Sequence, residues 1–318
     1  MGHARRVTIT PTPDILRSAE FRSPPHGFSR LRAGALVRTE AWAGAFADER
    51  QVLRATAVAA SARSAIVFSH VTAAALHGLP LSRPHDRVHV IPRGENPPKT
   101  RGDVVRHKLA LPDEDIAEIN GMLVTSLDRT VADVIRMLPA QAALAAFDGA
   151  LRLVAWDDAR RELDPAAADG FRRLVRHRIT AARGGRGVRV ARTIIELADG
   201  RAQLPGESES RYLMWELGMP APALQMPVET SLGRFWLDFA WPALRRFGEF
   251  DGMVKTSDPR FTRGRSGSEV VADQRERFGA IEAATGWTGM HWGWPERADA
   301  TTLWASLLGQ GWSARARM

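Results

Sequence analysis

A chain of 318 residues exceeds the usual size of a single domain, so two compact units are expected. The hydrophobic fraction of 44% is that of an ordinary globular protein, and the absence of cysteine excludes a disulfide framework, thiolate chemistry and cysteine-ligated zinc. A net charge of +8 with an isoelectric point near 11.0 points to a polyanionic partner, although surface arginine alone also produces such a balance.

The opening stretch, MGHARRVTITPTPDILRSAE, carries arginines without a following apolar run, and no run of about 18 apolar residues occurs anywhere. Neither a secretory leader nor a membrane span is expected, and a cytoplasmic location follows. FSRLRAGALVRTEAWAGAFA reads as a short helix and a strand. SHVTAAALHGLPL reads as a helix that stops at Gly78 and Pro80, and DRVHVIP and DVVRHKL read as strands. VTSLDRTVADVIRML is a helix started by Ser126, with Val131, Val134, Ile135 and Leu138 on one face, and LPAQAALAAFDGALRLV is another. Residues 1–165 thus read as an α+β region without an obvious reactive centre. Its histidines, His70 and His77 on one helix and His85, His89 and His107 downstream, share no fixed short ligand spacing. Core or capping roles are expected of them.

Residues 166–203 read as a basic connecting segment. Between Phe171 and Arg192 eight arginines occur with no Asp or Glu. Arg172, Arg173, Arg176, Arg178, Arg183, Arg186 and Arg189 are therefore candidate nucleic-acid contacts, because guanidinium groups bind phosphate oxygens without reading base sequence. The alternative is a solvated helix followed by a glycine-rich linker. RGGRGVR follows no strand and lacks the lysine and hydroxyl of a phosphate-binding loop.

Residues 204–318 run in the order helix, three strands, helix, strand, helix. The helix covers about 207–217. The strands are ALQMPVET, RFWLDFAW with Phe235, Leu237 and Phe239 facing one way, and RRFGEFDG with Phe247, Glu249 and Asp251 on one side. A hairpin turn centred on Ala243 and Leu244 sets Asp238 opposite Glu249. Opposed buried carboxylates need a compensating cation. Lys255 supplies one charge and a divalent ion more, and hard oxygen ligands favour Mg²⁺ at Asp238 and Glu249. Such a pair beside a lysine suits metal-assisted phosphodiester hydrolysis. Spacing alone leaves open that Arg234, Arg245 or Arg246 neutralises these acids. Trp292 and Trp294 are core candidates with base stacking as the alternative.

GESESRYLMWELGMPAPALQ, WLDFAWP, EFDGMVK and GWTGMHWGW, in that order, resemble the restriction-endonuclease-like PD-(D/E)XK superfamily and its very-short-patch-repair-like domains. The resemblance implies an α/β domain with a mixed central sheet flanked by helices. It also implies catalytic roles for Glu207, with Glu209 as the alternative, and for Asp238, Glu249, Asp251 and Lys255, with Mg²⁺ as cofactor. The chain departs from relatives at Ala272 and Asp273, before Gln274 and Arg275, and at His291 in the last strand. The middle region, through FSHVTAAALHGLPL and GMLVTSLDRTVADVIR, resembles AbiEi-type antitoxins of type IV toxin–antitoxin systems. That likeness implies DNA binding, repression through an N-terminal winged helix, and a cognate toxin as partner. Two functions are thus expected: Mg²⁺-dependent DNA cleavage, or non-catalytic DNA binding by an antitoxin or regulator.

Overall fold

A computed structural model describes residues 15–17, 23–62, 64–93, 102–251 and 267–313. The chain divides between Gly200 and Arg201 into two compact units. Both mix helices with sheets, as the α/β reading implies.

The first unit opens with strands β1 (Ile15–Arg17), β2 (Phe28–Arg32) and β3 (Ala35–Arg38) in an antiparallel sheet of order β1-β3-β2, followed by helices α1 (Thr39–Gly44) and α2 (Ala47–Ser61). A five-stranded sheet comes next. Its strands are β4 (Ile66–Phe68), β5 (Val88–Pro92), β6 (Val104–Arg106), β7 (Ile116–Ile119) and β8 (Met122–Thr125), in the order β6-β5-β4-β8-β7. The β5–β6 and β4–β8 pairs are parallel, and the β4–β5 and β7–β8 pairs antiparallel. Helix α3 (His70–Leu76) follows β4 immediately. Helices α4 (Leu127–Met137) and α5 (Ala140–Ala155) pack on each other, and alanines 142, 143, 145, 146 and 150 keep the crowded α5 slim enough for close neighbours. A two-stranded ribbon, β9 (Trp156–Asp157) and β10 (Glu162–Leu163), leads out of α5.

The segment read as a connector is two helices of this unit, α6 (Pro165–Ala181) and α7 (Val188–Leu197), both packed on α4 and α5. Phe171, Val175 and Ile179 recur every four residues among the arginines and are buried, as are Val188, Ala191, Ile194 and Ile195. The arginines masked an amphipathic period. Asp164 caps α6 by accepting the Ala166 and Ala167 N–H groups, with Pro165 in the first helical position.

The second unit follows the expected order. Helix α8 (Pro205–Glu216) precedes strands β11 (Ala223–Thr230), β12 (Gly233–Trp241) and β13 (Arg246–Asp251), then α9 (Gly267–Thr285), β14 (Thr288–Gly293) and α10 (Ala300–Gly309). The sheet runs β11-β12-β13-β14, antiparallel except for the β13–β14 pair, which α9 connects. One core, with Leu213, Phe239, Trp241, Phe250, Trp292 and Leu303, joins the sheet to α8 and α10; another, with Val228, Leu237, Phe247 and Ile281, joins it to α9. Phe235, Leu237 and Phe239 do not share one face, because Leu237 and Phe239 fall in different cores. The alternation breaks at Asp238, across from Gln225, whose φ of 50° kinks β11. Trp292 is 1% exposed and donates its indole N–H to Ser210 Oγ at 2.9 Å, so it is a core residue and not a base-stacking one. Gly206 lets α8 settle on the sheet, since a Cβ there would stand 2.1 Å from the Phe250 ring.

A mesh of buried charge ties α6 to the rest of the first unit. Arg178 donates to Asp115 at 2.6 Å and to Asp128, while Arg129 donates to Asp115 at 2.8 Å and to Asp133 at 3.1 Å. Burial would raise the Asp115 carboxyl, but the Arg178 and Arg129 hydrogen bonds outweigh it and hold it below the usual carboxylate range. At Asp133 burial prevails over Arg129 and the carboxyl is pushed up. Arg178→Gln should lower the unfolding free energy by about 2–4 kcal/mol, because a buried carboxylate loses a partner. The exposed Arg173→Gln should change it by less than about 0.5 kcal/mol. Urea unfolding of both variants measures the difference, and equal midpoints would show that the mesh is dispensable.

Buried His70 and the half-buried His77, His85, His89 and His107 resist protonation because burial disfavours the charged ring. Burial pushes the His70 imidazole down to about 3 and that of His89 to about 4, and lowers those of His77, His85 and His107. The unfolded chain takes up these protons near the ordinary value of 6.5, whereas the folded chain does so only at the lower values. Their contribution is therefore complete above about pH 6.5 and is lost as pH falls toward the folded values. The urea midpoint should decline steadily from about pH 6.5 to about pH 4; a flat midpoint across that window would contradict the burial of these rings.

Candidate functional site

The candidate carboxylates of the second unit stand on α8, β12 and β13. The ladder pairs Trp241 with Arg246, Ala240 with Phe247 and Phe239 with Gly248, so the same register sets Asp238 against Glu249. There the backbone pairing ends, and Asp238 takes over as acceptor. Its Oδ2 receives the Phe250 N–H at 3.1 Å and its Oδ1 receives Gln225 Nε2 at 3.2 Å. Gln203 Nε2 donates to Gln225 Oε1 at 2.5 Å, and the Gln203 N–H donates to Glu207 Oε2 at 2.8 Å. Two glutamines thus connect the helix acid to the strand acid. Glu209, the other helix candidate, is 2% exposed and ion-paired with Arg297.

Odd-numbered residues of β13 face α9. Phe247 packs on Phe278 with ring centroids 4.8 Å apart, Glu249 meets Arg277 Nη2 at 3.0 Å, and Asp251 accepts from Gln274 Nε2 at 3.3 Å. Arg277, which the spacing did not single out, is thus a cation beside Glu249. Arg234 instead pairs with Glu229, and Arg245 reaches the Gly286 carbonyl. Arg277 also donates to the Trp236 carbonyl at 2.8 Å. Gln274 and Arg277 stand three apart on one helix, a spacing that marks them as a shared face once α9 is known to cover β13. Lys255 lies outside the described residues. Among the described residues, Glu207, Asp238, Glu249 and Asp251 contribute no group of three acids with ligand atoms within 4.8 Å of one another.

The arginines of α6 and α7 separate into two sets. Acids from other positions reach three of them: Arg172 meets Asp169 at 2.6 Å, Arg176 meets Glu196 at 2.9 Å, and Arg178 belongs to the buried mesh. The local absence of Asp and Glu therefore did not mean an absence of partners in space. Arg173, Arg183, Arg186, Arg189 and Arg192 are exposed. Asp169, Arg172, Arg173, Arg176, Ile195 and Glu196 line an open hollow of about 390 Å³ between the two helices. The turn joining the helices is tightly held. Arg136 donates to the Arg186 carbonyl at 3.2 Å, and Gly187, with φ of 78°, sits where a Cβ would meet the Arg136 carbonyl oxygen at 2.0 Å.

Sequence spacing gave no hint that His70, His89 and His107 would meet, yet their rings cluster at the edge where α3, β5 and β6 converge. His107 Nε2 lies 3.0 Å from His89 Nδ1, and the His70 and His107 rings stack with centroids 3.8 Å apart. His77 takes a structural place, its Nε2 bonded to the Thr125 carbonyl at 2.8 Å.

Among the described residues no helix is long and apolar enough to cross a membrane. No solved structure matches the chain. The family described as AbiEi antitoxin C-terminal domain matches residues 64–182, the span from just before β4 to just past α6. Two relatives in Mycobacterium tuberculosis, uncharacterized protein MT2308 of strain CDC 1551 / Oshkosh and uncharacterized protein Rv2248 of strain ATCC 25618 / H37Rv, are each 32% identical over 262 residues. Each match takes in 81% of this chain and 86% of the relative. Residues 64–182 resemble the AbiEi antitoxin C-terminal domain, and the chain as a whole belongs to one family with these mycobacterial proteins.

Proposed function

We propose that the chain is a DNA-binding regulator of the antitoxin type, acting with a toxin partner in a type IV toxin–antitoxin system. The AbiEi match over residues 64–182 carries this reading. The exposed arginines at the end of that domain and just beyond it supply a surface suited to phosphate: Arg173 on α6, Arg183 and Arg186 in the turn, and Arg189 and Arg192 on α7. Paired arginines serve this purpose less well, because binding phosphate there would cost an existing ion pair.

Binding to DNA from upstream of the chain's own gene should weaken steeply with salt, by counterion release. Replacing Arg183, Arg186 and Arg189 together by Gln should reduce the slope of log affinity against log salt by about 1 for each phosphate that is no longer neutralised. Replacing the paired Arg172 and Arg176 should reduce it less. Equal slopes in wild type and the triple variant would remove this turn from the interface.

The second reading, Mg²⁺-dependent cleavage of DNA by the second unit as a PD-(D/E)XK-type nuclease, draws on one observation: the register that sets Asp238 against Glu249 on a mixed sheet between helices. The donor set as arranged fits the ion poorly. Arg277 already neutralises Glu249, and both oxygens of Asp238 accept protein N–H groups. On the regulator reading, millimolar Mg²⁺ leaves the melting temperature of wild type and of Asp238→Asn unmoved, and neither protein cuts duplex, single-stranded or mismatched DNA. A Mg²⁺-dependent melting shift and cleavage, both abolished in Asp238→Asn, would reverse the order of the two readings.

A further inference from the structure

The histidine cluster stands on backbone that is fixed independently of its side chains. His70 opens α3, His89 lies in β5, and His107 directly follows β6. The Ser69 N–H donates to the His89 carbonyl at 3.0 Å and the His107 N–H to the Val90 carbonyl at 2.9 Å. The His89 N–H donates to Thr72 Oγ1 at 2.9 Å, and Gln51 Nε2 donates to the same hydroxyl at 2.6 Å. His70 adopts φ of 52°, a left-handed conformation that costs a residue with a side chain about 1–3 kcal/mol and collects at functional sites. Its ring lies against the other two, 3.8 Å from His107 and 5.7 Å from His89 between centroids.

We propose that His70, His89 and His107 form a binding site for a transition-metal ion of the Zn²⁺ class, with three imidazole ligands and a fourth position for water or an anion. One nitrogen from each ring lies within 4.8 Å of the other two. Tetrahedral zinc with bonds of about 2.0–2.1 Å needs ligand nitrogens roughly 3.4 Å apart, so the rings must reorient to close the site. His107 is the ring to move. It is less buried than His70, and stacked parallel rings cannot both aim their in-plane lone pairs at one ion, so it must turn and exchange its contact with His89 Nδ1 for the metal. With imidazoles alone as ligands the site rejects Mg²⁺ and Ca²⁺, which require oxygen. The positive charges of Arg129 and Arg136 act on His70 and that of Arg87 on His89, so an anionic fourth ligand would offset the charge of the ion.

The site is tested on the full chain, purified without a histidine tag, stripped by chelator and titrated with Zn²⁺ and Co²⁺. One equivalent should bind, with a rise in melting temperature and, for Co²⁺, the visible absorption of a four-coordinate nitrogen-rich site. His107→Gln should weaken binding by more than about 100-fold, beyond what removal of a supporting residue around a metal costs. His177→Gln, exposed on α6 and outside the cluster, should bind as wild type does. Absence of stoichiometric uptake, or uptake unchanged in His107→Gln, overturns the proposal. Should His107→Gln lack the far-ultraviolet dichroism of the wild type, X-ray absorption of the Co²⁺-loaded wild type decides: three imidazole ligands uphold the site, and two or fewer overturn it.

Discussion

A carboxylate removed from water must find a cation or a set of N–H donors, and much of this chain is arranged around that demand. In the first unit Asp115 and Asp133 are buried; Arg129 serves both from α4, and Arg178 reaches Asp115 from α6. In the second unit Arg277 answers Glu249 and Arg297 answers Glu209, while Asp238 accepts from an amide side chain and a backbone N–H. Apart from the Arg129–Asp133 pair within α4, each of these ion pairs joins two separate segments of the chain. They therefore fix how these segments lie against one another, a choice that nonspecific apolar contact leaves loose.

Much of this was legible in the sequence wherever one element determined its own form. The order of helices and strands after residue 204, the hairpin register that opposes Asp238 and Glu249, and the shared side of Phe247, Glu249 and Asp251 follow from turn position and the period of two. What escaped was whatever depended on a second element. The partners of Arg176 and Arg178 come from other helices and loops, and the four-residue spacing of Phe171, Val175 and Ile179 was overshadowed by charge. Short strands were also missed, because β4 and the β7–β8 hairpin are only three or four residues each and show almost no alternation. His70, His89 and His107 could not be joined by spacing, because their proximity arises from sheet order and not from chain order.

The two units present different chemistry. The region that matches the AbiEi family, residues 64–182, and the helix that follows it carry exposed cationic groups and a knot of imidazoles. The second unit carries acids whose charges are met internally by Arg277, Arg297 and a chain of amides. Glu207, Gln203, Gln225 and Asp238 form a sequence of contacts running from the first turn of α8 to the middle of β12.

The turn between α6 and α7 has a thermodynamic corollary. Because Gly187 packs against the backbone of Arg136 and the Arg186 carbonyl accepts from that same residue, the arginine-bearing turn belongs to the folded body of its unit. A flexible basic tail surrenders conformational entropy when it settles on a polyanion, and coupled ordering of that kind leaves a large negative heat-capacity change. Here the backbone is ordered beforehand. Association through this turn would draw its favourable entropy from released counterions, with little heat-capacity change, and its strength would follow ionic strength far more closely than temperature.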